Sequence, residues 1–257
     1  MNTVTAMLLI IINSSFQKNS NYYIAAGLLE HRHELDKFST SSFAKCCQTS
    51  VTSINNFCKM LGFTSFKDIV FNFNNSIKVR KEQILFRMAR MNEDSILNSI
   101  KYFAKDQDFT AKFKVEVNNL VDLIYESSSI IIVGAYFPTS LAINFQEDMI
   151  IMGKNIYIQP QKRIIEINYI ESQALILFVT LTGRLCEFAK SDFDHICRNY
   201  QKIAFVSGYS NYHAYPSIKG MVKIPVAEDN EIGNICILEI FRYIKFVYFH
   251  KYGKEYF

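Results

Sequence analysis

Zinc-site spacing is absent from this chain of 257 residues, because its six cysteines include no CxxC pair and no cysteine–histidine run. We therefore predict no metal site and interpret the thiols as buried and free in a reducing cytoplasm. Internal repeats and low-complexity stretches are absent as well, and no segment has the composition of a disordered chain. With an apolar content of 49%, these absences favour ordinary globular domains.

A long apolar run is also missing. The apolar segment over residues 6–12 is too short to span a bilayer, and it lacks the basic flank and the small-residue cleavage site of a signal peptide. We predict that it forms the first helix of the N-terminal domain. We expect a cytoplasmic protein with no membrane partner.

Strong charge of one sign is absent from the chain as a whole, whose formal net charge is +4. The distribution is uneven, since residues 1–105 hold 13 Lys and Arg against 7 Asp and Glu, whereas residues 106–257 hold 15 against 17. A basic front half and a mildly acidic back half are typical of a DNA-binding domain joined to one that does not touch DNA. An accidental asymmetry on solvated faces is the alternative. The length itself fits two compact domains.

Residues 39–63 have the pattern of two short helices joined by a tight turn. Ser39 and Ser50 stand where N-caps belong, and Gly62 stands where the second helix should end. Apolar residues at three- and four-residue spacing would bury one face of the pair: Phe43, Ala44, Cys47, Ile54, Phe57, Cys58 and Leu61. The other face of the second helix carries short hydrogen-bonding groups and one lysine, which suit bases and phosphates. An ordinary helical hairpin with a solvated face has the same spacing.

These residues resemble the DNA-binding domain of the RpiR family of bacterial transcriptional regulators. The two capping serines and the Leu-Gly-Phe at 61–63 fall on the family pattern without a gap, and the match covers about the first 75 residues. Two positions depart from it, because Asn56 replaces the family's arginine and Gln48 replaces the usual turn glycine. Asn56 brings no charge, so we expect weaker electrostatic anchoring than in a typical relative. The resemblance implies duplex DNA contacts from these residues: Thr49, Ser50, Thr52, Ser53, Asn56, Lys59 and Lys67.

The second half of the chain alternates between two patterns, after a region over residues 65–105 that is helical in character. Apolar, β-branched runs predict buried parallel strands at 130–134, 156–158, 174–179, 202–206 and 221–224. Helical stripes separate most of them, at 141–149, 164–170 and 188–196. This alternation predicts a five-stranded parallel sheet covered by helices on both faces. The aromatic-rich segment from residue 235 to about 251 is predicted to be a long amphipathic helix at a subunit interface.

This half resembles a sugar isomerase (SIS) domain, the phosphosugar-binding module that follows the DNA-binding domain in RpiR regulators. Residues 179–184, Val-Thr-Leu-Thr-Gly-Arg, stand where the family has its Ser-x-Ser-Gly loop, whereas residues 136–138 replace the family's Gly-x-Ser on the opposite wall. The resemblance implies a phosphorylated sugar or amino sugar as ligand. A different small ligand and a pocket that has lost its ligand remain alternatives. The implied ligand-binding residues are Thr139, Ser140, Thr180, Thr182, Gly183 and Arg184.

These features together predict an all-α helix-turn-helix domain over residues 1–76, a helical linker over 77–107 and an α/β SIS domain over 108–257. We interpret the chain as a DNA-binding transcriptional regulator of sugar or amino-sugar metabolism, as the resemblance implies, whose SIS domain senses a phosphorylated sugar effector. We expect it to have no cofactor or catalytic residues and to bind its operator as a homodimer or homotetramer. Ligand occupancy would change the spacing of two DNA-binding domains and hence their fit to the operator.

Two other function classes stay open. A structural or antagonist protein that dimerises without binding DNA strongly is one, and the uncharged Asn56 motivates it. Within the regulator class, the alternative is a dimeric regulator whose SIS domain does not respond to a ligand. A sugar-phosphate isomerase is the other function class, because SIS domains also occur in such enzymes. Isomerisation needs a base that moves a proton between adjacent carbons. The candidates for that base are His195, His213, Glu228 and Glu231.

Overall fold

The computed structural model describes residues 3–15, 18–104, 109–160, 173–209, 215–225 and 230–257. The chain divides into two compact units, Met1–Phe86 and Arg87–Phe257. The boundary falls within one long helix, Phe66–Arg90. Residues 77–107, predicted as a helical linker, are helical over most of their described part.

The N-terminal unit is all-α in its described residues. Its helices are α1 (Thr3–Ser14), α2 (Ser20–Glu30), α3 (Thr40–Cys46), α4 (Val51–Met60) and the first part of α5 (Phe66–Arg90), with a short 3-10 helix at Leu35–Lys37. The first helix buries Leu8 and Leu9 and packs against α2, as its apolar pattern predicts. Phe43 of α3 stacks on Phe66 with ring centroids 4.8 Å apart. These apolar contacts hold α1 against α2 and α3 against the start of α5.

The C-terminal unit is built on a five-stranded parallel sheet, which confirms the sequence prediction. The strands are β1 (Ser129–Gly134), β2 (Asn155–Pro160), β3 (Leu175–Thr180), β4 (Ile203–Ser207) and β5 (Ile218–Lys223), in the order β2-β1-β3-β4-β5. Strands β1, β3 and β4 are buried along their whole length, as strands covered on both faces must be. Strand β5 starts three residues earlier than predicted. It is a half-exposed edge strand whose Lys219 and Gly220 hide its start in the sequence.

The rest of the regular structure described in this unit is helical. The helices after α5 are α6 (Glu93–Lys101), α7 (Phe109–Glu126), α8 (Tyr136–Ser140), α9 (Ile143–Ile151), α10 (Arg184–Phe188), α11 (Lys190–Asn199) and α12 (Asn230–Lys251), with a 3-10 helix at Gly253–Tyr256. Of these, α7, α8 and α9 pack on the sheet. The single helical stripe predicted over 188–196 is broken at Ala189, whose φ of −112° and ψ of 42° end α10 before α11 begins. The helix predicted over 164–170 lies outside the described residues.

Helix α12 starts five residues before its predicted start, because its first turns are polar and contain Gly233. The aromatic side chains that suggested a subunit interface pack largely against other residues inside the unit. Phe241 stacks on Phe145 with centroids 4.7 Å apart, and Tyr243 stacks on Phe113 at 5.6 Å. The helix is therefore a central core element of this unit, and its aromatic content alone does not indicate an interface.

A buried ion cluster joins α12 to α9 and to the last turn of α5. The side chain of Asp148 is fully buried and accepts hydrogen bonds from Lys245 Nζ at 2.7 Å and from Arg87 Nη2 at 2.9 Å. Lys245 also donates to Asn144 Oδ1 at 2.7 Å. A buried carboxylate is tolerated only when it is paired in this way. The sequence did not predict this contact, since Asp148 stands in an otherwise apolar segment and its partners are distant in the chain.

We expect Asp148→Asn to destabilise the protein by about 3 kcal/mol or more, because it removes the charge of a fully buried carboxylate that pairs with both Lys245 and Arg87. Urea denaturation of the full chain measures the effect. The matched control is Asp122→Asn, which removes a carboxylate from a pair with Lys251 whose side chains are 42% and 36% exposed. The control should cost at most about 1 kcal/mol. Equal losses in the two variants would mean that the buried cluster adds nothing beyond a surface pair.

Candidate functional site

The two-helix element in the N-terminal unit is held by the predicted caps. Ser39 and Ser42 form a capping box at the start of α3, in which each side chain bonds the backbone of the other. The Ser50 hydroxyl accepts a hydrogen bond from the Ser53 backbone N–H at 3.0 Å and so caps α4. At the other end, the N–H of Phe63 donates to Cys58 O at 2.8 Å, which closes α4 where the sequence predicts its end.

The turn between α3 and α4 has an unusual backbone. Gln48 has a φ of +52° and is the only residue other than glycine with a positive φ among those the structure describes. Its neighbour Thr49 donates its N–H to Ala44 O at 2.9 Å, which fixes the turn. A non-glycine residue pays roughly 1–2 kcal/mol for this conformation. The turn thus keeps the positive φ that glycine adopts readily, although Gln48 stands in the place of the usual turn glycine.

Helix α4 buries one face and exposes the other. Ile54, Phe57 and Cys58 are at most 1% exposed, as predicted from their spacing, whereas Leu61 caps the helix and is half-buried. Thr52, Asn56 and Lys59 are all exposed, and spacings of four and three residues align them on one side of the helix. This exposed face combines a hydroxyl, an amide and an ammonium group.

The remaining predicted DNA contacts differ in availability. Ser50 and Ser53 bond each other through their hydroxyls at 2.9 Å, so part of their capacity is used for capping. Thr49 is half-buried in the turn. Lys67 is exposed in the first turn of α5. Asp68 follows it, and hydrogen bonds from Thr64 hold the pKa of the Asp68 carboxyl below its usual value.

The C-terminal unit contains a cleft where strands β1 and β3 end. These two strands are neighbours, although β2 lies between them in the chain, and the strand order reverses at this point. Open α/β sheets bind ligands at such a reversal, outside the carboxyl ends of the strands. The cleft has a volume of about 810 Å³ and is lined by Ala135, Phe137, Pro138, Leu141, Thr180, Leu181, Thr182, Arg184, Leu185, Phe188, Asn230, Glu231, Asn234, Ile235 and Leu238.

A glycine allows the two strand ends to meet. Gly134 pairs with Val179 in the sheet, and a Cβ on Gly134 would lie 2.4 Å from the Val179 carbonyl oxygen. Because that distance is shorter than atoms tolerate, a larger residue would force β1 and β3 apart at the mouth of the cleft. The approach of these strand ends therefore depends on Gly134.

The loop after β3 brings Thr180, Thr182 and Arg184 to the cleft wall. Gly183 is the N-cap residue before α10 and has a φ of +76°, and its N–H donates to Thr180 Oγ1 at 3.2 Å. The N–H that the sequence suggested for an anion is thus already bonded within the loop, and Gly183 is not among the lining residues. Since α10 has only five residues, its dipole adds little, and the hydroxyls and the guanidinium are the groups available to a ligand.

The opposite wall presents Pro138 in place of a hydroxyl. Thr139 Oγ1 donates to Ala135 O at 2.8 Å, and Ser140 Oγ donates to Phe137 O at 2.7 Å. Both hydroxyls are therefore used within the short helix α8, and neither residue lines the cleft. The structure brings together three of the six predicted ligand residues and leaves Thr139, Ser140 and Gly183 outside the lining.

A third wall, which sequence reasoning missed, comes from the first turns of α12. Asn230, Glu231 and Asn234 add polar groups there. Asn234 Oδ1 is buried and accepts no hydrogen bond from any described residue, so it is an acceptor left for a ligand or for water. The only signal in the sequence is the polar start of an otherwise apolar helix.

The four candidate bases of the isomerase alternative have different positions. Glu231 lines the cleft. His195 lies on α11, where its ring contacts the Asn199 side chain at 3.2 Å, and it does not line the cleft. His213 and Glu228 lie outside the described residues.

Within the described ranges, no helix combines the length and the apolar character needed to cross a membrane.

Comparison with a protein-family model bears on the N-terminal unit. Residues 6–78 match the model described as a helix-turn-helix domain of the rpiR family. The match includes α3, the turn at Gln48 and α4, as well as the start of α5. A search of curated proteins found no match.

Several solved structures resemble the chain at low identity. A NanR protein of Vibrio vulnificus complexed with ManNAc-6P is 14% identical, with a TM-score of 0.47, over 99% of this chain and 94% of that one. The sugar isomerase domain of an RpiR transcription factor from Sphaerobacter thermophilus is 11% identical, with a TM-score of 0.43, over 68% of this chain and 93% of that one. A Methanococcus jannaschii protein with an inferred function of 3-hexulose-6-phosphate isomerase is 14% identical, with a TM-score of 0.42, over 62% and 85%.

Proposed function

We propose that this chain, whose N-terminal region is a helix-turn-helix domain of the rpiR family, is a transcriptional regulator that binds duplex DNA and a small effector. The observation that carries the proposal is the exposed face of α4, with Thr52, Asn56 and Lys59 aligned on a helix that is capped at both ends. The second helix of such an element enters the major groove. The effector would bind in the cleft at the ends of β1 and β3.

The groups on α4 divide into two kinds of contact. Lys59 carries a full charge and suits a phosphate, whereas the Asn56 amide can donate to and accept from an adenine edge. Thr52 adds a hydroxyl on the same face. Contacts to the DNA phosphate backbone are proposed for four residues beyond this face, at the start of α4 and on α5: Thr49, Ser50, Ser53 and Lys67. Such contacts position the protein on the duplex and carry no sequence information.

The cleft suits a phosphorylated sugar or amino sugar. Its volume of about 810 Å³ lies within the range of small-molecule sites, roughly 300–1,000 Å³. Arg184 supplies a charge for a phosphate, and the Thr180 and Thr182 hydroxyls add hydrogen bonds. Asn230 and Asn234 stand on the α12 wall, where sugar hydroxyls would meet an amide. The polar groups thus line two different walls, so one wall can bind the phosphate while the other binds the hydroxyls.

We propose binding without turnover, although one observation favours the isomerase alternative. Glu231 lines the cleft and is a carboxylate that could serve as a base. To act as a base, the Glu231 carboxylate has to lie within hydrogen-bonding reach of the proton that it removes. The same residue suits a regulator equally well, since a carboxylate also accepts hydrogen bonds from sugar hydroxyls.

We further propose that the protein is a homodimer or a homotetramer. Two helix-turn-helix domains read two half-sites related by two-fold symmetry, so self-association follows from the mode of DNA recognition. Apolar side chains are exposed around the cleft, including Phe188 at 81% and Phe137 at 61%. Their exposure within one unit supports a contact with a second copy there.

We expect Lys59→Glu to weaken DNA binding at least about tenfold on every duplex and to lower the salt slope by about one, because one phosphate contact is lost. Asn56→Ala should instead reduce the preference for a favoured sequence. Fluorescence anisotropy of the full chain across a salt range measures both effects. The control is Lys101→Glu, the same change of charge on α6 of the C-terminal unit. If Lys101→Glu weakens binding as much as Lys59→Glu, net charge rather than the α4 face is responsible.

We expect Thr182→Val to weaken the binding of sugar phosphates. A hydrogen bond to a charged group contributes about 1.5–3 kcal/mol, which corresponds to roughly a tenfold to hundredfold loss of affinity. Calorimetry with hexose, pentose and amino-sugar phosphates measures it. The control is Ser140→Ala, whose hydroxyl bonds the α8 backbone outside the cleft. Equal heats for wild type and Thr182→Val would exclude this loop, and isomer formation abolished by Glu231→Gln would establish the enzyme.

We expect light scattering of the full chain to give at least a dimer at micromolar concentration. Phe188→Asp should shift this equilibrium towards monomer, because it places a charge in the exposed apolar group at the cleft. Tyr102→Asp is the control, since Tyr102 is similarly exposed, at 84%, directly after α6. A wild-type monomer would remove the basis for recognising a two-fold operator.

A further inference from the structure

One cysteine differs from the other five in its surroundings. All six cysteines lie within the described residues, and Cys46, the last residue of α3, is the one that is exposed. Its Sγ lies 3.1 Å from His31 Nε2. On the other side of the ring, His31 Nδ1 lies 3.0 Å from Glu34 Oε1. A thiol, an imidazole and a carboxylate thus follow one another within hydrogen-bonding distance.

The order of these contacts determines where the ring proton lies. An ionised carboxylate only accepts hydrogen bonds, so Nδ1 of a neutral His31 carries the proton and donates it to Glu34. Nε2 then presents its lone pair to the Cys46 thiol. The pKa of Glu34 is held below its usual value, first of all by the hydrogen bond from His31, which is consistent with an ionised carboxylate. The geometry is that of a nucleophile beside an oriented base.

The imidazole is held in place from a third direction. The Phe38 ring meets it edge-on, with centroids 5.1 Å apart. Phe38 in turn packs edge-on against the buried Phe43. An orientation fixed by a carboxylate and by an aromatic ring keeps Nε2 directed at the thiol without further rearrangement.

The neighbouring cysteine provides an internal contrast. Cys47 is 6% exposed, and burial raises its pKa to about 12. Burial likewise raises the pKa of Cys58 to about 11, that of Cys197 to about 12 and that of Cys236 to about 11. Buried thiols of this kind are chemically inert. Reactivity is therefore expected at Cys46 alone among these residues.

We propose that Cys46, His31 and Glu34 form a thiol-exchange site that reacts with small disulfides. The Cys46 sulfur attacks one sulfur of a disulfide while its proton passes to His31 Nε2. The disulfide bond breaks, a mixed disulfide forms on Cys46, and the second sulfur leaves as a thiolate that takes the proton from His31. The small disulfide is the oxidant, so no further reagent is needed. The adduct stands at the end of α3, directly before the turn into α4.

The test is a kinetic measurement on the full chain with dithiodipyridine, whose released thione is followed by absorbance. We expect one fast thiol per chain at neutral pH. Cys46→Ser should remove the fast phase, whereas Cys47→Ser, the matched control one residue away, should leave it intact. His31→Gln should slow the fast phase at least about tenfold at neutral pH and make the rate rise more steeply towards alkaline pH, because the thiol then has to ionise without a base.

Two further measurements separate a chemical role from a structural one. Glu34→Gln keeps the side-chain size and should give a smaller loss of rate than His31→Gln, since it affects only the orientation of the ring. Circular dichroism checks that each variant is folded. A fast phase that survives in Cys46→Ser would overturn the proposal. So would a folded His31→Gln variant that reacts at the wild-type rate with the same pH dependence.

Discussion

The cleft of the C-terminal unit depends on the side-by-side ends of β1 and β3. Parallel strands direct their carboxyl ends to one edge of a sheet, but the loops that follow them diverge only where the strand order reverses. Here the reversal falls between β1 and β3, and Gly134 lets the two ends approach because it has no side chain to meet the Val179 carbonyl. The cleft has three walls. The segment after β1 forms one, the loop after β3 forms the second, and the first turns of α12 form the third.

The two candidate sites differ in how much of the chain they need. The proposed DNA-binding face lies within a single stretch of about 25 residues, and each of its caps bonds a residue three positions away. The cleft is assembled from segments that start at Ala135, Thr180 and Asn230, far apart in the sequence. A local site can be read from spacing, whereas a distributed site requires the packing of the whole unit.

This difference explains which predictions were confirmed. Buried strands are continuous β-branched runs, so they can be recognised in the sequence without knowledge of the strands beside them. The Ser39 and Ser50 caps can be recognised locally in the same way. The directions of the Thr139 and Ser140 hydroxyls could not be predicted, because each one bonds a backbone carbonyl within α8. The cleft wall on α12 and the Asp148 cluster were missed for the related reason that their partners are distant in the chain. Tertiary contacts, rather than propensity, decide such positions.

We propose that a DNA-reading helix and an effector cleft are joined in one regulator, and the DNA-reading helix is the more direct of the two to test. The measurement is selection of duplex fragments from a random library by the full-length protein at low salt, followed by sequencing. We expect an enriched motif with two-fold symmetry, because paired copies of α4 would read two half-sites. An output pool indistinguishable from the input library, obtained with folded protein, would contradict it.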